Sequence, residues 1–228
     1  MTQLSAANRV VAAHQFPLVI FDWDGTLMDS VPRIVSSLQT LARECDLQMP
    51  TVTQIHDIIG LSLPVALERL FGVTDEAGQN ALVDVYRDIY VIRDQTPTPM
   101  FTGAVELLQQ LRQMNYQLAV ATGKARPGLE RAWQQSGTQS LFVSSRCAKE
   151  VPSKPHPAML EDILRETGFE ASQALMIGDS IHDMEMARNA GVTSVGVTYG
   201  VHDAQRLSAA QPAYIIDDIR ELAAILLP

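Results

Sequence analysis

Leu18-Val19-Ile20-Phe21-Asp22-Trp23-Asp24-Gly25-Thr26 is the stretch that decides the fold. Four apolar residues, too few for a helix and flanked by turn formers, read as a strand buried on both faces. The strand runs directly into two carboxylates one residue apart, followed by a glycine turn. In open α/β sheets, ligands bind beyond the carboxyl ends of the strands. Two acidic groups at such an end repel each other unless a cation or an electrophile needs them.

Outward from this strand the pattern changes to helical spacing. Val31, Ile34, Val35, Leu38, Leu41, Ala42 and Cys45 lie along one stripe, with Pro32 in the first turn, where a missing N–H is harmless. Shorter amphipathic pieces follow at Val52 to Ile59 and Val65 to Phe71, and a further stripe runs from Ala77 to Tyr90. Nothing between Asp29 and Gln95 reads as a strand, and Thr96-Pro97-Thr98-Pro99 closes the block.

Beyond it, helices and strands alternate. Strands are expected at Gln117 to Thr122, Leu141 to Ser145, Ala174 to Ile177, Thr193 to Val197 and Tyr214 to Ile216. Helices are expected at Ala104 to Gln113, Gly128 to Gln135, Pro157 to Thr167, Ile181 to Ala190 and Ile219 to Leu227. Such alternation implies an α/β fold with a doubly wound, parallel, Rossmann-like sheet. The expected organisation is a core of residues 1–28 and 99–228, interrupted after its first strand by an all-helical cap of residues 29–98.

Composition narrows the function. The net charge of −9 disfavours nucleic acid and anionic membrane as partners. No apolar run approaches the ~20 residues that span a bilayer. The N-terminal stretch shows no signal-like apolar region, and the two cysteines, Cys45 and Cys147, suit a reducing compartment. A cytoplasmic protein acting on small molecules, as a monomer or homodimer, is the expectation. Only three of the 17 basic residues are lysines, Lys124, Lys149 and Lys154, so a lysine here draws notice as a compact point charge.

Four stretches lie at strand ends or before helices: Asp22-Trp23-Asp24-Gly25-Thr26, Ala121-Thr122-Gly123-Lys124, Ser153-Lys154-Pro155 and Gly178-Asp179-Ser180-Ile181-His182-Asp183. Singly, each is ordinary turn or cap chemistry. Together, and in this order, they resemble the four motifs of the haloacid dehalogenase superfamily. The resemblance is to its phosphatase branch with a helical cap, and within that to the phosphoglycolate phosphatase subgroup. It runs from Phe16 to about Leu222.

The resemblance implies roles. Asp22 would be the nucleophile that forms an aspartyl-phosphate, and Asp24 the general acid and base. Thr122 and the Gly123 N–H would hold phosphate oxygens, and Lys154 would neutralise charge on the phosphoryl group. Mg²⁺, a hard cation suited to carboxylate ligands, would be held by the side chains of Asp22 and Asp179 and the Asp24 carbonyl. Asp183 would bind through water or orient the ligands. Dehalogenating relatives lack an aspartate at the position of Asp24, so phosphoryl transfer is implied.

The cap carries ten acids, five arginines and no lysine, which counts against phosphonate-cleaving relatives and favours a compact phosphomonoester. Gly60 to Leu63 resembles the family's cap loop that faces the active site. Phosphoglycolate, pyrophosphate, sugar phosphates and nucleotide or flavin monophosphates all stay open as substrates. A sugar phosphomutase and a catalytically idle regulatory module are the alternatives. Lys124 reads either as a site residue or as a flank of the pocket; His156 and His182 read as surface or supporting residues, and Trp23 and Trp133 as packing.

Overall fold

The computed structural model describes residues 15–227. Six parallel strands form one sheet: β1 (Leu18–Phe21), β2 (Gln117–Ala125), β3 (Ser144–Ala148), β4 (Ala174–Gly178), β5 (Thr193–Val197) and β6 (Tyr214–Ile216). Their spatial order is β3-β2-β1-β4-β5-β6, the doubly wound arrangement expected from the alternation of elements.

Period-two alternation sorts the strand residues into two apolar layers. Val19 and Phe21 of β1, Leu118 and Val120 of β2, and Leu175 and Ile177 of β4 share one cluster with the helices α5 (Ala104–Gln113), α6 (Arg126–Ser136) and α10 (Leu222–Leu226). Leu18, Ile20, Ala119, Ala121, Ala174 and Met176 face the opposite way, onto α7 (Ala158–Thr167) and α8 (Ile181–Asn189). Both faces are therefore dry, which is why these strands read as nearly continuous apolar runs.

Between β1 and β2 the chain is helical: α1 (Val31–Glu44), α2 (Val52–His56), α3 (Leu63–Phe71) and α4 (Glu76–Asp88), the last continued by a π-helical turn over Ile89–Arg93. These helices surround an apolar cluster of their own, built on Leu38, Leu41, Ile55, Leu67 and Ile89. The two segments that lead into and out of the insertion run side by side. Asp29 N–H donates to the Pro99 carbonyl at 2.8 Å, and Phe101 N–H to the Leu27 carbonyl at 2.9 Å.

Three elements depart from the sequence reading. The third strand begins at Ser144, not Leu141, because residues 139–141 form a 3₁₀ turn and Phe142 stacks on Trp133 at 5.8 Å. As an edge strand, β3 takes its place from register with Ala119 to Ala121, not from its own hydrophobicity. Strand β2 continues three residues past Thr122, and a short helix, α9 (Ala204–Ser208), capped by Asp203, was not anticipated. Five residues are too few to establish a helical period.

Trp23 and Trp133 are packing residues, as expected. Trp23 is fully buried, with its ring edge-on to Trp133 at 6.4 Å and to Phe142 at 6.1 Å. Trp23 belongs to the loop that carries Asp22 and Asp24, so these ring contacts anchor that loop in the core. Among the described residues, no helix is long and apolar enough to cross a membrane. Trp133→Ala is expected to cost about 3–5 kcal/mol in urea unfolding, through loss of buried aromatic surface and the cavity left behind.

Candidate active site

Register brings the motif residues together. Phe21 pairs with Val120 on one side and with Ile177 on the other. The next residues therefore emerge level at the carboxyl end of the sheet, where the strand order reverses between β1 and β4: Asp22 from β1, Ala121 and Thr122 from β2, Gly178 and Asp179 from β4. Asp22 N–H donates to the Ile177 carbonyl at 2.9 Å and fixes the height of the loop.

Asp22, Asp179 and Asp183 are all buried, and each offers an oxygen within 4.8 Å of the others. Lys154, also buried, places its Nζ 2.8 Å from Asp22 Oδ1 and 2.6 Å from Asp183 Oδ1. Asp183 Oδ2 accepts from the Ser180 hydroxyl at 2.6 Å and its N–H at 3.1 Å, the capping box that opens α8. Asp179 accepts from Thr26 Oγ1 at 3.0 Å and from the Val201 N–H at 2.9 Å.

Two glycines make this crowding possible. A Cβ on Gly25 (φ +81°) would lie 2.1 Å from Asp179 Oδ2, and one on Gly200 would lie 2.2 Å from the same atom. Gly25 sits in the first motif, but nothing in the sequence marked Gly200, which approaches Asp179 only through the loop after β5.

The electrostatics explain what the cluster lacks. Three buried carboxylates against one ammonium leave two uncompensated negative charges. Burial, opposed by Lys154 and reinforced by the Asp183 and Asp24 charges, leaves the Asp22 carboxyl raised to about 7. Burial, then the charges of Asp183 and Asp22, raise Asp179 well above the usual carboxylate range. Neither Asp22 oxygen accepts a well-formed hydrogen bond among the described residues, although Oδ1 is ion-paired to Lys154. Crowded, all-oxygen and short of positive charge, this donor set fits a divalent hard cation such as Mg²⁺.

Asp24 stands apart from the three. Its carboxylate accepts two hydrogen bonds from Lys124 Nζ, at 2.9 and 2.8 Å, and one from Ser30 Oγ at 2.5 Å. Burial alone would pull the Lys124 ammonium down, but Asp24 and the Tyr90 hydroxyl outweigh it and hold it above the ordinary lysine range. Lys124 Nζ also lies 5.3 Å from the centre of the Tyr90 ring, which the π-helical turn carries over from the helical insertion. Lys124 is thus a site residue. Its partners Tyr90 and Ser30 were invisible to motif reading, although the scarcity of lysine had marked Lys124 itself.

Thr122 Oγ1 accepts the Lys124 N–H at 3.1 Å and keeps its own proton to donate. Gly123 faces the helical insertion, and a Cβ there would meet the Leu61 and Gly60 carbonyls at 2.4 and 2.6 Å. The loop expected to face the site does so. Ser62 N–H donates to Ser153 Oγ at 2.9 Å, next to Lys154.

Asp57 ties the same loop region to α8 and α9. Its carbonyl accepts from His182 Nε2 at 2.9 Å, and its carboxylate pairs with Arg206 at 2.8 Å. His182 is buried at this contact, whereas His156 is exposed and only accepts the Ala158 N–H at 3.2 Å. His202, unmarked in the sequence, accepts the Ile181 N–H at 2.9 Å and lies 3.6 Å from the Asp57 carboxylate.

A family model described as haloacid dehalogenase-like hydrolase matches residues 19–197. The chain belongs to this family. It is 35% identical over 210 residues to a protein of Dickeya dadantii named "Probable phosphatase IndB", covering 90% of this chain and 91% of that one. It is 30% identical over 241 residues to a phosphoglycolate phosphatase of Pseudomonas savastanoi pv. phaseolicola, covering 99% and 88%. The crystal structure of a hydrolase from Pseudomonas syringae superposes with a TM-score of 0.79 at 27% identity, covering 91% of this chain and 96% of that one.

Burial pushes the His202 imidazole down to about 4, with the neighbouring charges of Arg206 and His182 adding to the effect. The unfolded chain takes up that proton near pH 6.5 and the folded chain only near pH 4, so this group costs stability as pH falls between those values. His202→Gln cannot titrate. The stability advantage of the unsubstituted chain over His202→Gln should therefore shrink by at least about 1 kcal/mol between pH 7.5 and pH 5 in urea unfolding.

Proposed function

We propose that this chain is a Mg²⁺-dependent phosphatase that hydrolyses a small-molecule phosphomonoester through an aspartyl-phosphate on Asp22. A phosphoric monoester hydrolase is the class that its named relatives and its site residues both support. In this reading, residues 29–98 are a cap that closes over a core of residues 1–28 and 99–228. The observation that carries the reading is the Asp22 carboxylate: buried, without a well-formed hydrogen bond, beside Lys154 and two further acids.

An anion attacking a phosphate meets repulsion of about 4 kcal/mol per charge pair at ~4 Å for an effective dielectric of ~20. Lys154 lies against Asp22 and opposes that repulsion from the protein side. In this reading the Thr122 hydroxyl and the Gly123 N–H hold non-bridging oxygens. When bound, Mg²⁺ would be held by the side chains of Asp22 and Asp179 and the Asp24 carbonyl, with Asp183 supporting, and would supply Lewis-acid neutralisation of phosphate charge.

Asp24 then serves each half-reaction. It gives a proton to the leaving oxygen as Asp22 attacks phosphorus, and it takes one from the water that later cleaves the aspartyl-phosphate. Lys124 and Ser30 hold its carboxylate through three hydrogen bonds, and the proton it gives to the leaving oxygen is the one it took from the hydrolytic water of the preceding turnover. The cap carries Tyr90 and the Gly60-Leu61 carbonyls to the same place, and its closure would exclude water during the first half.

Asp22→Asn should lower kcat for release of inorganic phosphate from an alkyl phosphate by about 10⁴-fold or more, as loss of a nucleophile does. The same variant should melt no lower than the unsubstituted chain, because it removes one of three crowded buried charges. Retained turnover would sink the mechanism. Removal of divalent cations by a chelator should abolish phosphate release, and added Mg²⁺ should restore it. Gly123→Ala, whose new methyl would strike the Leu61 carbonyl, should lower kcat/KM by about tenfold or more through imperfect closure.

A further inference from the structure

Above Asp22 and Asp24 the site opens into a cavity of about 500 Å³ between the sheet and the helical insertion. That volume suits a drug-sized ligand. A two-carbon phosphorylated hydroxy acid would occupy only one corner of it, which sets the cavity against the compact ester that the acidic cap suggested.

The chemistry of the walls points the same way. Leu38, Ile58, Ile59, Val83, Tyr86 and Tyr90 line the part supplied by the insertion. Leu38, Ile58, Ile59 and Val83 are buried there. Tyr86 and Tyr90 stack on each other at 5.7 Å with their planes 24° apart, an aromatic wall that ends at Lys124 beside Asp24. The apolar lining is therefore continuous with the reacting centre.

The buried cations around the cavity are engaged, and the others are exposed. Lys154 is paired with Asp22 and Asp183, and Lys124 with both oxygens of Asp24. Arg33 donates to the Thr96 carbonyl and lies over the Tyr90 ring at 5.6 Å. Besides Lys124, the cations of the lining are Arg87, Arg131 and Lys149, all three exposed. A carboxylate or second phosphate carried against the Tyr86–Tyr90 wall would lose its water among apolar side chains, and the lining cations that could answer it, Arg87, Arg131 and Lys149, are solvent-exposed. The net charge of the insertion, ten acids against five arginines, opposes it further.

We infer that the substrate is a phosphomonoester of an uncharged, ring-bearing alcohol, its ring lying in the Tyr86–Tyr90 cavity and its phosphate at Asp22, and that phosphorylated hydroxy acids are poor substrates. This assignment rests on the phosphatase reading above. Specificity then comes from apolar and aromatic burial of the leaving group, not from ion pairing to it. The cap supplies the recognition surface, and the core supplies the chemistry.

The test uses the purified full chain with Mg²⁺ and three unactivated esters that differ in the leaving group: 2-phenylethyl phosphate, ethyl phosphate and phosphoglycolate. Phosphate release should give kcat/KM for 2-phenylethyl phosphate about tenfold or more above both others, carried mainly by a lower KM. Phosphoglycolate at or above 2-phenylethyl phosphate overturns the substrate class and leaves the phosphatase reading standing. So does equality between the ethyl and phenylethyl esters. No release from any of the three overturns the phosphatase reading and the substrate class with it. Tyr86→Ala should shrink the phenylethyl-to-ethyl ratio by about threefold or more. An unchanged ratio in that variant overturns the placement of the ring.

Discussion

Three carboxylates from Asp22, Asp179 and Asp183 share a space closed to water, with the Lys154 ammonium between two of them. Like charges at such distances in a poorly solvated site repel strongly, and burial compounds the cost. Much of the surrounding structure answers that cost. Thr26 and the Val201 N–H support Asp179, Ser180 supports Asp183, and Gly25 and Gly200 leave room where any side chain would collide. Asp22 alone keeps its oxygens without well-formed hydrogen bonds. The imbalance is what a divalent cation and a phosphate would resolve, and it is why the cluster makes sense as a site but not as a structural ion-pair network.

The sheet makes this crowding geometrically possible. Parallel strands in the order 3-2-1-4-5-6 put β1 and β4 side by side at the point where the winding reverses, and their shared register sets Asp22 and Asp179 at adjoining heights. The two dry layers beneath, anchored on one side by the Trp23–Trp133–Phe142 trio, give the loops a rigid base. The helical insertion is tied down differently. It meets the core through polar contacts at Asp57 and Ser62 and through Tyr90 over Lys124. Apolar packing holds the floor, whereas the insertion meets it through these polar contacts together with Val201, which packs into the insertion's apolar cluster.

Much of the architecture was legible in advance, and for identifiable reasons. Leu18 to Phe21 could only be a buried strand, and the spacing of Val31, Ile34, Leu38 and Leu41 could only be a helix, because burial imposes those periods. The four motifs were legible because each combines a reactive side chain with a turn former at an element end. The third strand was misplaced by three residues because Leu141 and Phe142 look like strand residues but pack elsewhere. His202 and Gly200 carried no local signal. Each matters only through an element far away in the chain, Asp57 for one and Asp179 for the other.

By itself the sequence determined the class of chemistry: an aspartate pair after a buried strand, a lysine before a proline, and two aspartates flanking a serine-capped helix start form a pattern whose family resemblance is readable without coordinates. Only the tertiary structure decided the partners. It bound Lys124 to Asp24, laid Tyr90 over Lys124, and lined the space above Asp22 with apolar side chains from three helices of the insertion. The physical reason is one of range. Which reactive side chains the Asp22-Trp23-Asp24 turn presents is set by residues within a few positions, whereas their charge balance and the shape of the cavity are sums over groups that meet only when the chain has folded.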